Sequence, residues 1–309
     1  TMGVRQTFGL YSSEFETSGG TTNTEFGLAI AVHAIFWGIF TPIFGRVSDK
    51  LGGYVVIVPA LIFYSIAMLL MGNNYISGIW LQMNLGLLVG LGLAGAAGTI
   101  LTPMISKHFP NENRSKAAGI VTACGGLGMF IFPIIANIFQ SISTWQSSFF
   151  LFSIILFLMC IPGFFVKLPK NIVTTDNSNI DNRSLTEVLK ESFAHKGFRL
   201  LILGFFVCGF QITLIATHVP RYVQDKGLAD WTGMAILALI GFFNIIGTLI
   251  MGYLGDKYSK KVLLSGLYFL RGVALILFIF LPASNLSAIL FGTSFGLLWL
   301  ATVPATNGI

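Results

Sequence analysis

The chain has 309 residues, of which 54% are hydrophobic and 10% are charged, and its mean hydropathy is +0.81. Soluble domains carry roughly 25% charged residues, so this composition excludes an ordinary soluble enzyme or binding module. The solvent of most of this chain is predicted to be a lipid bilayer.

Ten apolar segments are long enough, or nearly so, to cross a hydrocarbon core, which takes about 20 residues of helix. They lie at 1–13, 26–45, 54–72, 79–104, 117–139, 148–167, 200–220, 231–254, 262–282 and 286–306. The sequence therefore predicts an all-α membrane protein. Because the first segment is short and the chain stops just after the tenth, we expect a fragment that lacks the start of its first helix and its last two helices.

A short polar motif occurs twice, each time where an apolar segment ends. It reads GRVSDKLGG at 45–53 and GYLGDKYSK at 252–260, so that Asp49 and Asp256 occupy equivalent positions in a shared G-x-x-x-D-K pattern. Such a repeat indicates two similar halves. Both copies resemble the loop signature of the major facilitator superfamily of secondary transporters, and this resemblance implies a carrier.

Lysine and arginine are unevenly distributed over the loops between the segments. One set of alternate loops holds fourteen of them, and the opposite set holds only Arg221 and Lys226. The fourteen are Arg46, Lys50, Lys107, Arg114, Lys116, Lys167, Lys170, Arg183, Lys190, Lys196, Arg199, Lys257, Lys260 and Lys261. Cytoplasmic loops carry the excess of basic residues, so we expect both copies of the motif to face the cytoplasm. This bias accounts for most of the net charge of +6 without a nucleic-acid partner.

One long polar stretch, 168–199, separates two groups of apolar segments. It predicts a cytoplasmic linker between an N-terminal helix bundle at 1–167 and a C-terminal bundle at 200–309. Within it, 184–187 has the spacing of a helix capping box, and apolar residues follow at helical period. We expect a short amphipathic helix there, on the membrane surface.

The residues that most often carry catalysis or bind metals form no recognisable group. His33, His108, His195 and His218 are scattered, and no metal-ligand spacing or nucleophile motif is present. The three cysteines, Cys124, Cys160 and Cys208, lie inside apolar segments and are expected to be buried packing residues. We therefore expect neither an enzyme nor a bound cofactor or metal.

Two arginines lie inside apolar segments, where a charge is expensive and usually marks a transport pathway. Arg271 is ten residues into the ninth segment, and Arg5 is in the first, whereas no Asp or Glu lies within any segment. The missing negative charge suggests that a transported anion pairs with these arginines. The other interpretations are that Arg271 bonds to backbone carbonyls at a helix break or pairs with an acid in the missing helices.

Further polar residues could line a cavity near these arginines. Gln211 and His218 lie two turns apart on the seventh segment, although apolar residues separate them on that face. His218 could carry a proton near neutral pH, or could be a packing residue. Asn244, on the eighth segment, could bond to another helix or contact a substrate.

Five stretches of the apolar segments narrow the resemblance: 3–10, 204–211, 216–220, 238–244 and 298–304. Together they resemble a particular branch of the superfamily, the bacterial facilitators similar to monocarboxylate transporters and oxalate/formate antiporters. The resemblance implies a major facilitator fold of twelve helices in two pseudo-symmetric six-helix bundles, with alternating access driven by proton or anion gradients. One departure is that 82–86 reads QMNLG, without the arginine that many proton-coupled facilitators carry ahead of the glycines of helix four.

Together with this resemblance, the observations predict a secondary transporter of the bacterial inner membrane that moves a small organic anion of the monocarboxylate class, with proton or anion coupling. Its substrate would contact Arg271, Arg5, His218, Gln211 and Asn244. Its cytoplasmic gate would contain Asp49, Arg46, Lys50, Asp256 and Lys257. The alternatives are export of neutral or amphiphilic compounds, or a sensor that has the same fold and does not transport.

Overall fold

The computed structural model describes residues 1–17, 20–73, 78–106, 114–165 and 185–303, and most of them are helical. The N-terminal half consists of α1 (Met2–Gln6), a 3-10 helix (Phe8–Tyr11), α2 (Ser12–Thr17), α3 (Asn23–Leu51), α4 (Tyr54–Met71), α5 (Gly78–Leu81), a π-helical segment (Gln82–Leu88), α6 (Val89–Ala96), α7 (Gly98–Ser106), α8 (Arg114–Ile142), α9 (Trp145–Leu158) and α10 (Cys160–Phe164). After α11 (Leu185–Ala194), the C-terminal half consists of α12 (Lys196–Asp225), α13 (Trp231–Lys257), α14 (Lys260–Phe280) and α15 (Asn285–Leu298).

The predicted membrane segments are found as helices. Within the described ranges, eight helical stretches are long and apolar enough to cross a membrane, and α15 is a shorter apolar helix of 14 residues. The all-α prediction is confirmed. The helix α11 lies where a short helix was expected, whereas most of the predicted linker, including Ser184 of the proposed capping box, lies outside the described residues.

Two of the predicted segments are broken rather than continuous. The first segment is divided into α1, a 3-10 helix and α2, and the fourth changes from π to α geometry before Ala97 adopts an extended conformation. The fourth segment contains many glycines, which lower helix stability by roughly 1 kcal/mol each relative to alanine. Its helical geometry therefore depends more on its neighbours than that of an ordinary helix does.

The first copy of the repeated motif lies where α3 ends. Gly52 has a φ of +99°, and its backbone N–H donates to the Ser48 carbonyl at 2.9 Å. A residue with a side chain would be strained at this positive φ. The motif therefore includes the glycine that ends the helix, and this places Asp49 in its last turn.

The two halves meet along α8 and α13 through small residues. A side chain on Gly241 would clash with the backbone of Met129 and Phe130, and a Cβ on Gly126 would lie 2.9 Å from Asn244 Nδ2. In lipid, such close packing of backbones holds helices together. One expectation about side chains is wrong here, because Cys124 on α8 is exposed, whereas Cys160 and Cys208 are buried as expected.

Candidate functional site

Arg271 is buried and donates to neutral groups. Its Nε and Nη2 both donate to the carbonyl oxygen of Leu298, at 2.8 and 2.5 Å, and Nη1 lies 3.2 Å from Cys208 Sγ. Its guanidinium carbon is 5.6 Å from the centre of the Tyr268 ring. Because α15 ends at Leu298, this carbonyl belongs to the end of a helix that leaves acceptors unused. The geometry matches the interpretation in which Arg271 bonds to backbone carbonyls at a helix break.

Asn244 bonds to the same helix break from another helix. Its side chain is fully buried, and Oδ1 accepts a hydrogen bond of 2.9 Å from the backbone N–H of Leu300. Its Nδ2 has no hydrogen-bond partner among the described residues and faces Gly126 on α8. The turn at 298–300 is therefore held by Arg271 from α14 and by Asn244 from α13.

Arg5 forms a second buried cluster, with a partner in each half. Its Nε donates to His33 Nε2 at 3.1 Å, and its Nη2 donates to the hydroxyl of Thr213 at 2.9 Å. The ring of Trp37 lies 5.3 Å from the guanidinium carbon and stacks on the imidazole of His33 at 6.2 Å. Because His33 is on α3 and Thr213 is on α12, Arg5 connects the two halves inside the protein.

The other polar residues predicted for the site, Gln211 and His218, lie on α12. Gln211 is partly buried, and its Oε1 has no hydrogen-bond partner in the part of the chain that the structure describes. His218, seven residues farther along α12, is exposed. Gln6, which was not predicted, donates to the carbonyl of Leu237 at 2.8 Å and adds a second buried bond between the halves. The structure thus places Arg5 at the junction of the halves and leaves Arg271 and Asn244 at the separate helix break.

The predicted gate residues lie at the ends of α3 and α13. Asp49 and Lys50 are exposed in the last turn of α3, and Arg46 is partly buried one turn earlier. Lys257 donates to the hydroxyl of Tyr253 on its own helix. The side chain of Asp256 lies outside the described residues, so its part in the gate stays a prediction.

A contact between the halves at the opposite end was not predicted. Arg221 on α12 pairs with Glu16 on α2 at 2.9 Å and with Asp225 on its own helix at 3.0 Å. Beside it, Ser13 donates to Gln224 at 2.9 Å. The sequence shows only that Arg221 is one of two basic residues in the loops at the end of the protein opposite the repeated motif.

The sequence does not identify His33 or Thr213 as a site residue. His33 was visible as a lone histidine inside the second apolar segment, which is an uncommon place for a group that can ionise. Thr213 carried no signal of its own, because threonine is common in membrane helices. Among the described residues, no group of three or more His, Cys, Asp or Glu side chains could hold a metal ion.

Comparison with known proteins identifies the family. The profile of the Major Facilitator Superfamily matches residues 2–309. The chain is 29% identical over 229 residues to the uncharacterized MFS-type transporter YcxA of Bacillus subtilis (strain 168), covering 72% of this chain and 55% of YcxA. It is 25% identical over 245 residues to the class H tetracycline resistance protein of Pasteurella multocida, covering 77% of this chain and 59% of that protein. It is 27% identical over 290 residues to the multi-drug resistance efflux pump PmrA of Streptococcus pneumoniae serotype 4, covering 92% of this chain and 70% of PmrA.

The chain spans less than two thirds of the length of the first two of these relatives. The predicted superfamily is confirmed, whereas the reported relatives are named as transporters and drug-resistance proteins and do not support the narrower monocarboxylate or oxalate/formate branch. Proteins of this superfamily are generally transporters rather than enzymes. Given the profile match from residue 2 to residue 309 and the apolar helices described above, the chain belongs to the Major Facilitator Superfamily and is an integral, multi-pass membrane protein.

Proposed function

We propose that this protein exports amphiphilic organic compounds across the bacterial inner membrane by alternating access. The names of the tetracycline resistance protein and of PmrA, a multi-drug efflux pump, support export of such compounds. This replaces the monocarboxylate as the preferred substrate class and keeps the prediction that the protein is a secondary transporter.

The observation that carries the proposal is the set of groups that Arg271 contacts. A guanidinium binds a carboxylate best through two parallel N–H donors. Nε and Nη2 of Arg271 instead donate to the carbonyl of Leu298, and Nη1 faces Cys208. A carboxylate substrate would have to replace bonds that hold the end of α15, so the charge of Arg271 does not require an anionic substrate.

The contacts of the other buried arginine point the same way. Arg5 donates to His33 and Thr213, which are both uncharged partners as placed, and it lies over the apolar face of Trp37. An aromatic ring beside a polar cluster suits an amphiphilic compound that has an apolar body and a few polar groups. The contacts of Arg5 with both halves also suit alternating access, in which the halves move relative to each other around a central site.

Transport by the purified full-length protein in liposomes would test the proposal. We expect tetracycline or the quinolone norfloxacin to be transported when a pH gradient is imposed, and excess lactate or oxalate not to compete. Liposomes without protein, treated identically, are the control. Saturable uptake of labelled lactate or oxalate, with no movement of either drug, would restore the monocarboxylate prediction. Saturable drug binding without flux would indicate a sensor instead.

A further inference from the structure

On the imidazole of His33, the nitrogen Nε2 can either bind a proton or accept the hydrogen bond from Arg5, but not both. Nε2 of His33 accepts a hydrogen bond from Arg5 Nε at 3.1 Å, and the His33 side chain is fully buried. We infer that His33 is a proton-binding site, and that binding of a proton there releases Arg5 from its contact with Thr213 in the other half.

The competition follows from the chemistry of the imidazole ring. A neutral histidine has one nitrogen that carries hydrogen and one that accepts, and both nitrogens become donors when the ring is protonated. While Nε2 accepts from Arg5, Nδ1 must carry the hydrogen, and Nδ1 has no hydrogen-bond partner in the part of the chain that the structure describes. A proton can therefore bind only at Nε2, and it removes the acceptor that Arg5 uses.

Protonation would also place two positive charges side by side in a buried site. Arg5 stays charged under all ordinary conditions, so the guanidinium must move away from a cationic His33. The same guanidinium bonds to the hydroxyl of Thr213 at 2.9 Å. Because Arg5 and His33 belong to the N-terminal half and Thr213 to α12, movement of Arg5 breaks a bond between the halves.

The neighbours of α3 contain few groups that could offset this charge. Besides α1, which carries Arg5, the elements packed most extensively against α3 are α2, α4, α5, the π-helical segment, α6 and α7. From α5 to α7 the described sequence contains no Asp, Glu, Lys, Arg or His, and α4 contributes the phenols of Tyr54 and Tyr64. On α2, Glu16 accepts from Asn23 at the start of α3, and Glu14 lies at that same end of the protein. Arg5 is thus the charged group that directly contacts His33.

The ligand of this site is a proton. It would come from water on the side of the membrane to which the site opens, and it would be released to water on the other side. No bond other than N–H forms or breaks, and no oxidant or reductant takes part. If the protein exports amphiphilic compounds as proposed, this exchange would couple proton entry to the separation of the halves. That role rests on the proposed function, whereas the binding of the proton does not.

The stacking of Trp37 on His33 provides a direct measurement. A protonated imidazole quenches the fluorescence of an indole ring in contact with it, so the emission of Trp37 reports the charge on His33. The emission of the full-length protein would be recorded from about pH 9 down to about pH 4, which extends well below the usual titration range of histidine. Subtracting the emission of Trp37→Phe isolates this signal. We expect it to fall through a single-proton transition.

Three variants test the assignment and the link between the halves. His33→Gln can still accept from Arg5 but cannot take a proton, so the transition should disappear. Thr213→Val removes the bond that protonation must break, so the transition should remain and should move to higher pH by about one unit. His218→Gln should leave it as in the parent protein.

Two results would overturn the inference. The first is a transition that persists in His33→Gln, because the proton would then bind elsewhere. The second is an unchanged half-way pH in Thr213→Val, because protonation would then be independent of the contact between the halves. Failure to transport tetracycline or norfloxacin would contradict the proposed function and would leave this titration unaffected.

Discussion

The carbonyl oxygen of Leu298 accepts two hydrogen bonds from the guanidinium of Arg271, at 2.8 and 2.5 Å. Two residues later, the backbone N–H of Leu300 donates to Asn244. A buried polar group without a partner costs roughly 1–3 kcal/mol, so the end of α15 depends on side chains from two other helices. The guanidinium inside the ninth apolar segment thus has a backbone carbonyl as its partner.

Replacing Arg271 should reduce stability more than it reduces drug transport. Arg271→Gln loses the paired donors, and we expect the free energy of unfolding to fall by roughly 1.5–3 kcal/mol. Arg271→Lys keeps a donor and should lose less. Thermal unfolding of the purified protein measures both, with Lys261→Gln as the control, since it removes an exposed charge from the same helix. A fully stable Arg271→Gln protein that loses carboxylate binding would instead support the anion prediction.

The helices and the position of the repeated motif were predictable because they depend on local composition. In almost any membrane protein, about twenty consecutive apolar residues predict a membrane helix, and a glycine after them, as at the end of α3, predicts where that helix ends. The partner of Arg271 was not predictable in the same way. Its position at membrane depth was visible, but choosing between a substrate anion and the Leu298 carbonyl requires knowing where α15 ends.

The Arg5 cluster illustrates a second limit of the sequence. Arg5, His33 and Thr213 come from three distant parts of the chain, so no spacing connects them. The missed contact between Glu16 and Arg221 has the same cause. A count of charges showed that Arg221 was unusual for its end of the protein, but the identity of its partner depends on how the two halves pack.

The contact between α8 and α13 should not tolerate a side chain at Gly241. Its new Cβ would clash with the backbone of Met129 and Phe130, which cannot move aside as a flexible side chain would. We expect Gly241→Ala to lower the free energy of unfolding by about 1–3 kcal/mol. Gly255→Ala on the same helix is the matched control, because its Cβ meets nothing within 4 Å. Equal unfolding temperatures for the two variants would show that the halves are not packed this closely.

Glu16 should stabilise the state in which the halves are closed at its end of the protein. An exposed ion pair is worth about 0.2–1 kcal/mol, which is enough to change the population of two states up to about fivefold. We expect Glu16→Gln to increase the reactivity of a cysteine introduced at Ser13 towards a water-soluble maleimide, in a Cys124→Ser background. The control is Asp225→Asn, which also removes a carboxylate from Arg221 but leaves the contact between the halves. Equal reactivity in both variants would mean that the cross-half pair does not hold this end closed.

Asp49 is predicted to act on the conformational equilibrium and not on substrate binding. It lies exposed in the last turn of α3, just before the glycine that ends the helix, and is separate from the buried Arg5 cluster. Asp49→Asn keeps the size of the side chain and removes its charge, so it should slow tetracycline transport several-fold while the affinity stays within a few-fold of the parent. Asp256→Asn should have a smaller effect, because the second copy of the motif has Ser259 where the first has Gly52. Initial rates over a range of drug concentrations, at matched protein amounts in liposomes, separate the two quantities. A loss of affinity at unchanged maximal rate would place Asp49 in the binding site and remove it from the gate.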